Sequence, residues 1–303
     1  MPYRKRRFLW PAVLLIAAGT AFAWWVLRPI AQRHVQRRPH AIARIVPAPS
    51  PSPPPPFIPP ASPAPAPSSR ARGDLAIIID DAGQWLHTER AFIALPIPLT
   101  LSVLPDVRYT HLISDEAAAA GKGVMLHLPM EPISEINPGP GKITTEMSDK
   151  QIVEQTDADI ADVPLAQGVN NHEGSKATAD SRVMRDVASA IASHGSLFFV
   201  DSLTIGDSVA AATTQAAGIP TARRDVFLDD EANVSYVERQ LSAAASVALT
   251  AGRAIAIGHP RPTTLEALRA MIPRLKAEGI HFVLVRDLIT GEPQPSASSA
   301  SHG

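Results

Sequence analysis

The sequence predicts an α/β domain of parallel strands, preceded by one transmembrane helix and a proline-rich linker. Three observations predict it. After Gly73, short apolar runs alternate with helix-like segments, the order that builds parallel strands joined by right-handed crossovers. The runs lack a polar face, as strands covered by helices do. Ahead of them lie a 20-residue stretch without charge and a segment dominated by proline. About eight strands and their helices within residues 74–290 suit one domain, either a (β/α) barrel or a doubly wound sheet.

Arg4-Lys5-Arg6-Arg7 precedes Phe8 to Leu27, which carries no charge. At ~1.5 Å per residue such a helix spans a ~30 Å hydrocarbon core. Trp10, Trp24 and Trp25 lie near its ends, where interfacial anchors sit. The basic cluster favours keeping the N-terminus inside and the rest outside, although Arg28, Arg33, Arg37, Arg38 and Arg44 follow the span. Residues 1–28 are therefore expected to be a signal-anchor. Ala21-Phe22-Ala23 also fits a small-x-small cleavage pattern, so a cleaved signal is the alternative. Residues 29–73 form a basic, then proline-rich linker. Twelve of the 21 residues from Pro47 to Pro67 are proline, a spacer of about 65 Å at ~3.1 Å per residue.

Within the domain, Leu75 to Ile79 is the first strand and residues 88–95 the first helix. Leu99 to Leu104 is a strand stopped by Pro105, and Tyr109 to Ala120 a helix stopped by Gly121. Gly123 to Leu128 is the third strand, and Pro129 to Thr145 reads as a long Pro- and Gly-rich loop. Ser148 opens a helix with Gln151 at the capping-box position. Strands follow near residues 168–170, 196–200, 221–228, 253–257 and 281–285, and helices near 181–193, 207–217, 236–250 and 264–278. Pro273 is expected to kink or restart the last helix. Residues 291–303 read as a disordered tail.

Charge and composition narrow the function. Eleven of the 28 Lys and Arg precede Gly73 and none of the 29 acids does, so the remaining 231 residues carry 17 basic and 29 acidic side chains, net −12. An acidic domain is a poor partner for nucleic acid, whose affinity comes from phosphate neutralisation. Cysteine is absent, which excludes disulfides, thiolate ligands and a Cys nucleophile. No GxGxxG or GxxxxGK[ST] loop follows the first strand, and no G-x-S-x-G elbow is present.

Five apolar runs end in an acid or an imidazole: Asp80-Asp81, His127, Asn170-Asn171-His172, Asp201 and Gly258-His259. The C-terminal ends of parallel strands share one face, so these tips can form a metal or acid/base site. Asp80 and Asp81 could divide the work of metal ligand and general base, or simply cap a helix. His127 is a candidate divalent-metal ligand, and Glu131, four residues on, could join or orient it. The loop Asn170-Asn171-His172-Glu173-Gly174-Ser175 has the density of a ligand-contact loop. Asp201 could orient a catalytic side chain or cap a helix. Arg224 could hold an oxyanion or pair with the neighbouring acids. His259 could act as base, acid or ligand. His87, His111, His194 and His281 lack such context and read as surface groups.

These motifs, in this order, resemble the divergent polysaccharide deacetylase (YibQ-like) family. The resemblance runs from about Asp74 to Thr290 and rests on Leu75-Ala-Ile-Ile-Ile-Asp-Asp-Ala-Gly83, His127-Leu-Pro-Met-Glu-Pro132, Gly168-Val-Asn-Asn-His-Glu-Gly-Ser175, Phe198-Phe-Val-Asp-Ser202 and Ile257-Gly-His-Pro260. It implies a NodB-like distorted (β/α) barrel of seven to eight strands in the envelope of Gram-negative bacteria, held at the inner membrane and facing the periplasm. It implies hydrolysis of acetyl groups from an N-acetylated glycan such as peptidoglycan. It also implies a divalent ion, zinc first, with manganese, cobalt or nickel as alternatives. By position Asp80 resembles the general base, Asp81 a metal ligand, His127 the first metal His, His259 the general acid and Asp201 the orienting acid. The family superfold usually has His-x-x-x-His at the second motif, whereas Glu131 stands here, so either Glu131 or His172 completes the ligand set. Asn170, Asn171, Ser175 and Arg224 are the expected substrate contacts. A non-catalytic glycan-binding scaffold and a carboxylate-only glycosidase are the rival readings.

Overall fold

The computed structural model describes residues 72–291. The expected membrane span, the linker up to residue 71 and the tail from residue 292 lie outside the described residues, while Gly73, expected to end the linker, already belongs to the first strand; among the described residues no helix is long and apolar enough to cross a membrane. Nine strands and eight α-helices follow the predicted alternation. They are β1 (Gly73–Ala82), α1 (Leu86–Ile93), β2 (Thr100–Val103), α2 (Thr110–Ala119), β3 (Gly123–Met130), α3 (Asp149–Asp162), β4 (Gly168–Glu173), α4 (Ser181–Ser193), β5 (Phe198–Asp201), α5 (Ala210–Ala216), β6 (Thr221–Arg223), β7 (Val226–Phe227), α6 (Val234–Ala251), β8 (Arg253–Gly258), α7 (Pro262–Glu278), β9 (Ile280–Val283) and α8 (Val285–Thr290).

All strand pairings are parallel, in the order β6-β5-β4-β3-β2-β1-β8-β7, with β9 beside the start of β1. The single strand expected over 221–228 is broken in two, which raises the count from eight to nine. Arg224 N donates to Asp201 O on β5, whereas Asp225 N donates to Ile255 O on β8. One short segment thus reaches both ends of the sheet, and the sheet curls.

Strand side chains alternate between faces, and here the alternation sorts two cores. Leu75, Ile77, Ile79, Val124, Leu126 and Phe199 join the large layer between sheet and helices. Ala76, Ile78, Met125, Phe198, Val200, Ile255 and Ile257 form a smaller cluster on the concave side. That inner layer is tight: Gly168 pairs with Phe198, and a Cβ on Gly168 would lie 2.4 Å from the Phe198 ring. Helix α8, which the sequence reading did not anticipate, adds Val285 to the same cluster. Six residues rich in β-branched side chains carry little helical signal; burial of Val285 supplies what propensity lacks.

Pro273 does not interrupt α7, which runs unbroken from Pro262 to Glu278. Pro273 and Arg269, one turn earlier, both face solvent, so the carbonyl deprived of its partner can bond water. The capping box at Ser148 and Gln151 is present. Ahead of it, residues 131–148 form the long loop, tied to β3 by a bridge between Met130 and Ile143.

Gly141 docks this loop on α3. A Cβ there would lie 2.4 Å from Asp159 Oδ1, and φ is +73°, so glycine is required twice over. Asp159 is buried, and its Oδ2 has no hydrogen bond. Burial pushes its carboxyl up to about 7; Gln155 opposes the shift, while Asp162 and Asp106 add to it. The folded value lies above the ordinary ~3.9 of an unfolded chain. The stability this group contributes is therefore full below pH ~4 and is lost as pH rises through about 7. Asp159→Asn should leave the melting temperature near that of the wild type at pH 4 and raise it at pH 8. A constant difference across that range, read by thermal denaturation, would contradict the assignment.

Candidate metal centre

The inner-face positions continue above the apolar cluster as polar ones. On β1 the series Ala76, Ile78 is followed by Asp80; on β3 Met125 is followed by His127; on β8 Ile255 and Ile257 are followed by His259. Asn170 and His172 continue the same parity on β4. Four strand tips, those of β1, β3, β4 and β8, therefore deliver polar groups to one rim. Asp81 has the wrong parity and arrives differently. The β1–β2 register shifts between Ile79 and Ala82, and Asp81 has φ +56°. This bulge with a left-handed residue turns the second carboxylate toward the first. A non-glycine residue in that region is strained, and such strain gathers at functional sites.

Asp81, His127 and His172 meet. Asp81 Oδ1 lies 3.2 Å from His127 Nε2 and 3.0 Å from His172 Nδ1, and the two ring nitrogens are 3.0 Å apart. No donor is aligned on Asp81 Oδ1, which is buried without a hydrogen bond despite these short distances. Asn170 fixes the tautomer of His127. Its Nδ2 donates to Asp80 Oδ1 at 2.9 Å, so its Oδ1 accepts from His127 Nδ1, also at 2.9 Å. A neutral His127 then presents the bare lone pair of Nε2 to the cluster. Ser102 Oγ donates to the same Asn170 oxygen.

With His172 in the tautomer that leaves Nδ1 bare, three lone-pair donors face one another at 3.0–3.2 Å and repel unless something positive sits among them. Ligand atoms ~2.0–2.2 Å from a common divalent ion have mutual separations of this order. These residues fit a metal: one carboxylate and two imidazoles, a set suited to zinc, cobalt, nickel or manganese. The charge balance agrees. Burial opposes the charge on Asp81, but His127 and His172 outweigh it and hold the carboxyl well below the usual range. Burial also disfavours the His127 imidazolium, yet Asp80 and Asp81 reverse this and raise its pKa. The cavity thus favours one positive charge at this point.

Asp80 and His259 flank the triad. Asp80 Oδ2 is 3.6 Å from His127 Nε2, and burial raises its carboxyl above the ordinary range against the pull of His127 and His259. His259 Nε2 lies 3.8 Å from Asp81 Oδ2. Its Nδ1 is held at 2.8 Å by Asp229 Oδ1, while Asp229 Oδ2 accepts from His259 N and from Thr264 Oγ1. Burial disfavours the imidazolium, but Asp229 outweighs burial and raises the pKa of His259, with Asp81 and Asp80 contributing. The sequence reading missed Asp229 as a site residue, although Val226-Phe227-Leu228-Asp229 is another apolar run ending in an acid.

Other expected site residues stand elsewhere. The Glu131 carboxylate accepts from Thr145 N, Thr145 Oγ1 and Lys176 Nζ at 2.7–2.9 Å, pinning the 131–148 loop, so His172 and not Glu131 joins Asp81 and His127. Asp201 shares the outward parity of Phe199. It accepts from Leu203 N, Ser208 Oγ and Ala211 N, and orients no imidazole of the site. Ser175 Oγ accepts from Ile133 N and staples a loop. Asn170 is fully buried beneath the site and positions Asp80 and His127 instead of meeting a substrate. Asn171 lines a cleft over the strand tips, but its amide bridges Ser202 N and Glu173 O. Arg224 also lines it, donating to the Ser202 and Leu203 carbonyls and not to an acid. His111, His194 and His281 pair with surface acids.

A cleft of about 500 Å³ opens over Asp80, Asp81, His127, His172 and His259. The family model for divergent polysaccharide deacetylases matches residues 77–289. The chain belongs to that family. An uncharacterized protein of Haemophilus influenzae is 38% identical over 224 residues, 74% of this chain and 79% of its own. The protein YibQ of Escherichia coli is 36% identical over 227 residues, 75% of this chain and 70% of its own. The crystal structure of the uncharacterized protein ATU2773 from Agrobacterium tumefaciens superposes with a TM-score of 0.66 at 25% identity, covering 74% of this chain and 92% of that one. Membership in the divergent polysaccharide deacetylase family agrees with the curled parallel sheet and with a rim of Asp and His at the strand ends.

Proposed function

We propose that this chain is a metal-dependent hydrolase that removes acetyl groups from an N-acetylated envelope glycan such as peptidoglycan. The observation that carries the proposal is the convergence of Asp81 Oδ1, His127 Nε2 and His172 Nδ1 within 3.2 Å, flanked by Asp80 and His259. Asp81, His127 and His172 would hold the ion, zinc first among the borderline metals that suit this set. When bound, a divalent ion supplies Lewis acidity, polarising the acetyl carbonyl and easing the ionisation of water.

The chain's own groups do the rest. Asp80, its basicity raised by burial, takes the proton of the attacking water. Asn170 holds that carboxylate and His127 in a fixed relation. His259, kept protonated by Asp229, gives its proton to the leaving nitrogen. The amide bond breaks to acetate and a free amine, and Asp80 and His259 end the cycle with their protons exchanged through solvent.

In the same proposal the domain spans residues 74–290 and faces the periplasm, tethered by the apolar segment Phe8 to Leu27 and spaced from the bilayer by the proline-rich linker. Two measurements test the chemistry together: metal content of the purified chain, and acetate release from a panel of N-acetylated glycans with and without chelator. About one divalent ion per chain and chelator-sensitive release are expected. Metal without turnover on any glycan points to a binding protein; new reducing ends without acetate release, untouched by chelators, point to a carboxylate glycosidase.

A further inference from the structure

Beside the metal centre lies a second cleft, of about 520 Å³, whose lining includes Trp85, Thr88, Pro260, Arg261 and Pro262, with Asp81 and His259 at the side it shares with the site. Trp85 is 49% exposed, although it is the largest side chain type available for burial. It is also the sole tryptophan of residues 72–291.

This exposure is not slack in a loose turn. The buried Glu89 carboxylate accepts hydrogen bonds from Gly83 N, Gln84 N and Trp85 N at 3.0, 2.9 and 2.7 Å. Glu89 N in turn donates to Trp85 O. A carboxylate has been buried to hold the three residues that follow the Asp80-Asp81-Ala82 bulge. Such a group is retained where it fixes a geometry, because burying its charge opposes folding. In the same lining, Pro260 follows His259 and Pro262 opens α7, both with fixed backbone angles. Arg261, between them, is anchored through its guanidinium to Asp229 O. The cleft thus has rigid apolar surfaces and a few fixed polar groups at its margin.

We propose that Trp85, with Pro260 and Pro262, is the platform for a sugar ring, the one that carries the leaving nitrogen, and so sets the enzyme's selectivity for a glycan over simple amides. The inference rests on the deacetylase reading above. A pyranose has an apolar C–H face and a polar edge. Its face packs on the indole, which offers a large rigid surface with few rotamers to freeze. Its edge hydroxyls reach Arg261 and Thr88. His259, the group assigned to protonate the leaving amine, lines this cleft, so a ring attached to that nitrogen is within its reach.

The test uses the full chain with triacetylchitotriose, followed by calorimetry and by tryptophan emission. Trp85→Ala should weaken triose binding about tenfold or more, the scale of a buried aromatic contact, and raise KM while kcat changes less than about threefold. Trp85→Phe should keep most of the affinity. Saturating triose should shift the emission of the wild type and not that of Trp85→Ala. If Trp85→Ala binds triose as tightly as the wild type, or if triose leaves the wild-type emission unchanged while binding is seen by calorimetry, the platform is wrong and the deacetylase reading stands. If the wild type neither binds triose nor releases acetate from any N-acetylated glycan, both fall.

Discussion

Replacing Asp81 by Asn, or His127 by Ala, should strip the chain of its metal and lower kcat/KM by at least about 10³. A bound divalent ion supplies several kcal/mol of transition-state stabilisation, and each ~1.4 kcal/mol is tenfold in rate. Asp81→Asn removes the one anionic donor of the three and leaves the bulge in place, since Asn also tolerates a positive φ. His127→Ala removes the imidazole that Asn170 orients. Glu131→Gln is the control. Its carboxylate is engaged by Thr145 and Lys176, so metal content and the binding of substrate at the strand tips should survive while the 131–148 loop loosens. Elemental analysis of the three variants decides the matter. Loss of metal in Glu131→Gln with retention in Asp81→Asn would reverse the ligand assignment.

The distinction between Glu131 and His172 shows how far the chain's own pattern could be read. The alternation of runs and helices, and the position of the tips at one rim, follow from apolar periodicity and the parallel crossover rule. Parity goes further. Residues 76, 78 and 80 share a face, as do 125 and 127, 170 and 172, and 255, 257 and 259. Applied to β5, the same count places Phe198 and Val200 inside and Asp201 outside. That is why Asp201 caps the following turn, although it ends its run as Asp80 does. Three features needed coordinates. The β1 bulge reverses the parity rule at Asp81 alone, and nothing in Asp-Asp-Ala-Gly distinguishes a bulge from a plain strand end. The break at Arg224-Asp225 depends on which strand each amide can reach. Glu131 has inner parity but lies one residue beyond β3, where Ile143 and Lys176 draw the chain into a loop contact.

Asp229 offers the sharpest test of the acid step. Asp229→Asn should lower kcat on the order of 10²-fold and move the alkaline limb of the kcat profile to lower pH. The sign follows from the pairing. His259 acts as an acid only while protonated, and its pKa is raised because Asp229 at Nδ1 outweighs the effect of burial. With Asn in its place that negative charge is gone and only Asp81 and Asp80 still oppose burial, so His259 loses its proton at a lower pH and activity falls earlier as pH rises. The size follows from the general range of ~10²–10⁴ for a positioned acid or base, reduced because the imidazole itself remains. Asn keeps an oxygen able to accept from Nδ1, His259 N or Thr264, so the loop should hold its shape and metal content should not change. A merely structural role for Asp229 would lower kcat without moving the limb. His259→Gln in the Asp229→Asn background completes the argument: if Asp229 works through His259, the double variant should be scarcely slower than His259→Gln alone.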